Sequence, residues 1–103
     1  MRVVEVEHTV RTSGPLAAVD LTRDVAAAIR EIGIDHGVAC LYSPHTTCRL
    51  RFGTGGGVDD RLAPAGRLLA VRDGELVGGG RRILLVELDR ERERTWLLQV
   101  VGE

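Results

Sequence analysis

The side chains best suited to chemistry surround one histidine near the middle of the sequence. His45 follows Pro44 and precedes two hydroxyl residues, Thr46 and Thr47. An imidazole at such a bend can act as a general base, a metal ligand or a hydrogen-bond donor to phosphate, and the hydroxyls can orient the ring or its ligand. We therefore predict His45, Thr46 and Thr47 as the catalytic residues. An exposed turn histidine is the alternative.

Two glycine-rich segments are candidates for binding an anion. Residues 53–57 read GTGGG but lack the spacing of a dinucleotide-binding or P-loop motif, so they predict only a loop. In the second segment, the amides of Gly78, Gly79 and Gly80 can form a nest for phosphate beside Arg81. A guanidinium can hold phosphate through two hydrogen bonds. The sequence thus predicts Arg81, Gly78 and Gly79 as the binding residues for a small phosphorylated ligand.

A metal site is the third chemical possibility. Asp59 and Asp60 are adjacent carboxylates in a predicted loop. Together with His45 they can hold a divalent ion, weakly and with water as the remaining ligands. Capping of a short helical turn is the structural alternative for the acidic pair.

The elements that must position these groups follow from the hydrophobic periodicity. Residues 3–11 alternate as a half-buried strand, whereas residues 21–32 carry apolar side chains at helical spacing, with Gly33 as the C-cap. Residues 38–43 and 47–52 predict a hairpin with His45 at its tip. In the second of these strands, Cys48 lies on the apolar face and is predicted to belong to the core.

The second half of the chain predicts further strands. Asp73-Gly74 is a strong two-residue hairpin turn between residues 68–72 and 75–77. Strands at 82–89 and 95–101 follow, and ELDRERER, residues 87–94, is predicted to be a solvated hairpin connection between them. Residues 1–103 thus predict a single α+β domain in which six or seven strands, in antiparallel sheets, pack with one main helix.

Composition narrows the class of protein. The chain has 103 residues and a net charge of -1, so it lacks the basic field that nucleic acid or an anionic membrane surface would require. All 14 basic residues are Arg, which excludes Schiff-base chemistry and a P-loop lysine. The sequence contains no run long enough for a membrane span and no signal peptide, and Cys40 and Cys48 are interpreted as reduced core thiols. We expect a cytoplasmic protein.

The order of these features resembles the YjbQ-like family over the whole chain. The most specific element is Pro44-His45-Thr46-Thr47; the other matching positions are Asp20-Leu21-Thr22, Val25, Ile29, Gly33-Ile34, Gly37, Leu50, Val71-Arg72-Asp73-Gly74, Leu76, Gly78, Ile83, Glu87-Leu88-Asp89 and Gln99-Val100-Val101-Gly102-Glu103. The resemblance implies a compact α+β domain of antiparallel sheets. It also implies a homotrimer with pockets near the subunit contacts, and weak thiamine-phosphate synthase activity.

The chain departs from that family mainly within the implied pocket. An Asn-Glu-Asn stretch of the family is replaced by Gly53, Thr54 and Gly55. The family segment that leads to a second histidine is missing, and the position of that histidine falls near Asp59 or Asp60. Residues 78–81 replace Gly-Thr-Trp-Gln. Of the expected pocket, the persisting residues are His45, Thr46, Thr47 and Gly78.

Three functional hypotheses follow. Catalytic groups that work as a unit lose their activity together, so loss of most of the pocket favours the first of them. The first is a family member with a reduced or lost active site that serves as an oligomeric small-ligand-binding or structural module. The second is a residual thiamine-phosphate synthase-like enzyme with a small phosphorylated substrate and His45 as acid/base. The third is a weak divalent-metal-binding module.

Overall fold

The computed structural model describes residues 1–45, 47–54, 62–63, 66–77 and 81–103. These residues form one helix, α1 (Thr22–Ile32), and nine strands: β1 (Arg2–Arg11), β2 (Ala18–Asp20), β3 (Gly37–Tyr42), β4 (Cys48–Thr54), β5 (Leu62–Ala63), β6 (Gly66–Arg72), β7 (Glu75–Leu76), β8 (Arg81–Glu87) and β9 (Glu93–Gly102). The predicted α+β class with one main helix is confirmed, and the strands beyond the predicted six or seven are the short β2 and β5.

The strands form two antiparallel sheets. One has five strands in the order β1-β9-β3-β6-β7, and the other has four in the order β2-β8-β4-β5. β9 is an interior strand of the larger sheet, because it pairs with β1 along one side and with β3 along the other. The two sheets and α1 enclose a common core, so most of the strands present one face to it.

The helix confirms the sequence pattern in detail. Its apolar positions, Val25, Ala28, Ile29 and Ile32, are all buried. Asp20 accepts hydrogen bonds from both the backbone N–H and the hydroxyl of Thr22 at the first turn. The helix ends at Gly33, whose φ of 75° is the left-handed conformation that glycine adopts without steric cost.

Two predicted hairpins are wrong because the chain crosses between sheets at both places. β3 lies in the five-stranded sheet and β4 in the four-stranded sheet, so residues 43–47 connect the two layers. β8 and β9 are likewise in different sheets, connected by residues 88–92. In a hairpin, the apolar faces of both strands would need a third element to cover them. Placed in opposite layers, the two strands cover each other.

The turn at Asp73-Gly74 confirms the other predicted hairpin. β6 and β7 pair directly, and both turn residues have positive φ, 53° for Asp73 and 76° for Gly74, as a tight hairpin turn requires. Leu62 and Ala63 form the short strand β5, in a segment where a loop or a short helical turn was predicted. The rest of that segment lies outside the described residues.

The two cysteines have different environments. Cys48 is 1% exposed among the core side chains, as predicted. Cys40 is half-buried and pairs with Gln99 on the outer face of the five-stranded sheet, so its assignment to the core is wrong. Within the described residues, no helix is both long and apolar enough to cross a membrane.

A matched pair of leucine substitutions tests the position of the core. Leu85 in β8 is fully buried, whereas Leu88, three residues later, is 38% exposed. We expect Leu85→Ala to lower the free energy of unfolding by about 2–5 kcal/mol, because it leaves a cavity between the sheets. Leu88→Ala should change it by about 0.5 kcal/mol. Denaturant unfolding measures both, and equal losses would contradict the packing described here.

Candidate functional site

A buried ion pair lies at one end of the space between the sheets. Glu87, the last residue of β8, is 0% exposed, and Arg94, the second residue of β9, is 7% exposed. The Arg94 Nε lies 2.6 Å from Glu87 Oε1, and its Nη2 lies 3.2 Å from Glu87 Oε2. The prediction that residues 87–94 form a solvated connection is therefore wrong at both of its ends.

Strand alternation explains why these two charges point inward. Glu87 follows Ile83 and Leu85 at a spacing of two residues, and all three are buried. Arg94 precedes the buried Trp96 at the same spacing. Because side chains of a strand alternate between its faces, extending the apolar pattern by one step places each charge on the core face. The same two-residue spacing is visible in the sequence, but the many charges of residues 87–94 favoured the prediction of a solvated segment.

The carboxylate of Glu87 receives hydrogen bonds from several separate parts of the chain. Thr12, which follows β1, donates its hydroxyl to Oε1 at 3.0 Å. The Thr47 hydroxyl donates to Oε2 at 3.1 Å, and the Asp89 N–H donates to the same oxygen at 3.3 Å. A buried carboxylate is tolerated only with such partners, and here the partners draw three connections together.

These contacts keep Glu87 ionised. The guanidinium of Arg94, and then the donors Thr12, Asp89 and Thr47, lower the pKa of Glu87 from 4.5 to about 2, although burial alone would raise it. In contrast, burial and then the charge of Glu87 raise the pKa of the Cys48 thiol. A thiol in this environment is a poor nucleophile.

Arg94 also holds the connection between β3 and β4, residues 43–47, which contains His45 and is called the bend below. Its Nη2 donates to the Thr47 hydroxyl, which itself donates to Glu87. The backbone of the bend is fixed as well, since the Leu88 N–H donates to the Thr47 carbonyl at 2.8 Å. The crossing between the sheets is thereby anchored to the ion pair.

The ring of His45 accepts a backbone hydrogen bond at the edge of β9. β3 ends its pairing with β9 at Tyr42, and beyond that point side chains satisfy the backbone of Thr95. The Thr95 N–H donates to His45 Nε2 at 3.0 Å, and the Ser43 hydroxyl lies 3.4 Å from the Thr95 carbonyl. A nitrogen that accepts a hydrogen bond from an amide carries no proton. The neutral ring of His45 is therefore protonated on Nδ1.

The structure reports on the other predicted site residues only in part. Five of them lie outside the described residues: Thr46, Gly78, Gly79, Asp59 and Asp60. The backbone of Arg81 pairs with Thr54 at the start of β8, and its side chain lies outside the described part of the chain. Among the described residues, no group of three His, Cys, Asp or Glu side chains is arranged to hold a metal ion.

The remaining histidines lie away from the ion pair. His8 is exposed and stacks on Trp96, with the ring centroids 4.4 Å apart and 9° between the planes. The ring of Trp96 is fully buried, and its Nε1 has no hydrogen-bond partner within the described residues. His36 is exposed, and its Nε2 lies 3.9 Å from Asp73 Oδ1.

The fold and this polar end define a class of small two-sheet α+β proteins. A YbjQ-like protein of unknown function from Sulfolobus solfataricus P2 has the same fold, with a TM-score of 0.86 and 25% identity over 99% of both chains. A hypothetical protein from Aeropyrum pernix K1 matches with a TM-score of 0.83 and 24% identity over 97% of this chain and 99% of its own. A YjbQ-family protein from Clostridium acetobutylicum matches with a TM-score of 0.78 and 19% identity over 93% and 99%.

The chain thus has the fold of YjbQ-like proteins of unknown function, and the resemblance predicted from its sequence is confirmed. Neither a protein-family model nor the sequence of a curated protein matches it.

The lowered pKa of Glu87 predicts a loss of stability in acid. A group whose folded pKa is depressed contributes stability above its unfolded pKa, and that contribution is lost as the pH falls from 4.5 towards about 2. Between pH 7 and pH 3 we expect wild-type protein to lose about 2 kcal/mol of unfolding free energy from this group. Chemical denaturation at a series of pH values measures the loss.

The control for this prediction is Glu87→Gln, which removes the titrating group. The variant should be less stable at neutral pH, because Arg94 is left buried without its partner, and its stability should depend less on pH. A smaller slope will remain, since hydrogen bonds from Thr22 also lower the pKa of Asp20. An acid slope that is identical in the two proteins would show that Glu87 is not held as an ion.

Proposed function

We propose that this protein is a YjbQ-like module with a reduced active site, which binds a small ligand and does not catalyse a reaction. One observation carries the proposal: the functional groups of His45 and Thr47 are already engaged within the fold. Nε2 of His45 accepts the Thr95 N–H, and the Thr47 hydroxyl is held between Glu87 and Arg94.

These engagements disfavour His45 as a general base. A general base needs a free lone pair, and in the neutral ring of His45 the lone pair is on Nε2, where the Thr95 amide occupies it. The single hydrogen of the Thr47 hydroxyl is used by Glu87, so this group cannot donate to a substrate without breaking that bond. The same lone pair would be needed for a metal, which disfavours the metal-binding hypothesis.

A binding role remains compatible with the same geometry. The Nδ1–H of His45 has no hydrogen-bond partner among the described residues and can donate to an acceptor. A small phosphorylated ligand is the proposed occupant, with Arg81, Gly78 and Gly79 as its predicted phosphate contacts. The proposed compartment is the cytoplasm, consistent with the two free thiols.

We further propose a homotrimer, which an apolar row on the outer face of the five-stranded sheet supports. Val3, Val101, Val38 and Ala70 follow one another across β1, β9, β3 and β6. Val77 continues the row beyond β7, since its N–H donates to Ala70. Val3 is 62%, Val38 47% and Val77 50% exposed. A continuous exposed patch of this kind is typical of a surface between subunits.

An assay for thiamine-phosphate synthase activity tests the proposed loss of catalysis. We expect no turnover above that of His45→Ala, and no complementation of a thiamine-phosphate-requiring strain at normal expression. An active family member, assayed in parallel, is the positive control. Turnover that His45→Ala abolishes would support the residual enzyme and overturn this proposal.

Light scattering tests the proposed assembly. We expect the wild-type mass to be about three times that of the chain at micromolar concentration, and we expect Val38→Glu to yield monomers because it places a charge within the apolar row. Leu16→Glu is the matched control: Leu16 is also an exposed apolar residue, at 73%, but it lies in the connection after β1. A wild-type monomer would refute the assembly.

A further inference from the structure

Two consecutive residues of β9 contact the bend, one through its side chain and the other through its backbone. Arg94 points into the core and reaches Thr47 with its guanidinium. Thr95 presents its backbone along the strand edge, where its N–H meets His45 at 3.0 Å. The positions of His45 and Thr47 therefore both depend on the same short stretch of β9.

We propose that Arg94 and Thr95 are positioning residues that fix His45 as the neutral tautomer protonated on Nδ1, so that the bend selects a ligand carrying an acceptor oxygen. The inference rests on the proposed function in one respect only, namely that the bend is where a ligand binds. The tautomer itself follows from the Thr95 hydrogen bond, whatever the ligand.

The ion pair is the reason that this arrangement can be maintained. Arg94 is held by two hydrogen bonds to a carboxylate that is itself completely buried, so its guanidinium has little freedom to leave Thr47. With Thr47 fixed and its carbonyl bound by Leu88, the ring two residues earlier is kept within reach of the Thr95 amide. Arg94 thus acts on His45 through the backbone of the bend, without touching the ring.

The tautomer determines what the bend can recognise. A histidine with a free lone pair can bind a metal or a ligand hydroxyl, whereas one that presents only an N–H binds carboxylate or phosphate oxygens. His45 is half-buried, so the N–H that it presents is partly shielded from competing water. Both sources of an acceptor oxygen, carboxylate and phosphate, fit this chemistry.

Nitrogen-15 NMR of the uniformly labelled full-length protein tests the inference directly. Long-range proton–nitrogen spectra distinguish protonated from unprotonated ring nitrogens, and we expect a protonated Nδ1 and an unprotonated Nε2 for His45 at neutral pH. His36, which is exposed, serves as the internal reference. A protonated Nε2 in wild-type His45 would overturn the assignment.

The positioning role is tested at Thr47, because substitution of Arg94 itself leaves a buried carboxylate unpaired and can prevent folding. Thr47→Val removes the hydroxyl at nearly constant volume and leaves the ion pair in place, whereas Thr47→Ser keeps the hydroxyl. We expect Thr47→Val to raise hydrogen exchange at the Thr95 amide at least about tenfold and to mix the His45 tautomers. Thr47→Ser should restore both properties.

Unchanged tautomer and exchange in Thr47→Val would overturn the positioning role, even if the wild-type tautomer is as expected. Titration of the wild type with inorganic phosphate and, separately, with acetate then tests selection: at least one should move the Nδ1 resonance. If neither does so at millimolar concentration, the selection of an acceptor oxygen is overturned. Catalytic turnover in a protein with the expected tautomer would refute the proposed function but not the positioning.

Discussion

The pairing of Glu87 with Arg94 is the interaction on which the rest of this structure depends. One charge comes from the four-stranded sheet and the other from the five-stranded sheet, so the pair joins the layers at the end where the chain crosses between them. Removing two ions from water is costly, and their attraction offsets this cost only when further hydrogen bonds complete the site. Thr12, Thr47 and the Asp89 amide supply those bonds.

This dependence gives His45 and Thr47 a structural role that does not require catalysis. Thr47 belongs to the Pro-His-Thr-Thr stretch on which the predicted resemblance depends, and its hydroxyl donates to a buried carboxylate. His45 likewise accepts a backbone hydrogen bond from an interior strand. Stability alone is therefore sufficient to retain both residues, and their presence by itself is not evidence of catalysis.

The sequence predicted the elements better than their arrangement. The helix, its glycine cap and the Asp73-Gly74 hairpin depend on local preferences, and all three are confirmed. Assigning β3 and β4 to different layers requires knowledge of what covers each apolar face, which alternation along one strand does not contain.

The candidate site was predicted in part and for a similar reason. His45 was identified by its residue type and its place in the motif, but its Thr95 partner is fifty residues away in sequence. Glu87 and Arg94 were missed because a run of charges usually indicates a solvated surface. The two-residue spacing from Leu85 and to Trp96 was the better guide, since position within a strand determines burial even for a charged side chain.

The position of β9 between β1 and β3 has a consequence for how the chain folds during synthesis. β9 separates β1 from β3, so the larger sheet cannot assemble until the ribosome has released residues 93–102. Until then, β1 and β3 expose edges that have no partner, and Glu87 lacks its counterion. Such a topology delays assembly of this sheet until β9 has been synthesised, and the unpaired edges can promote aggregation before that point.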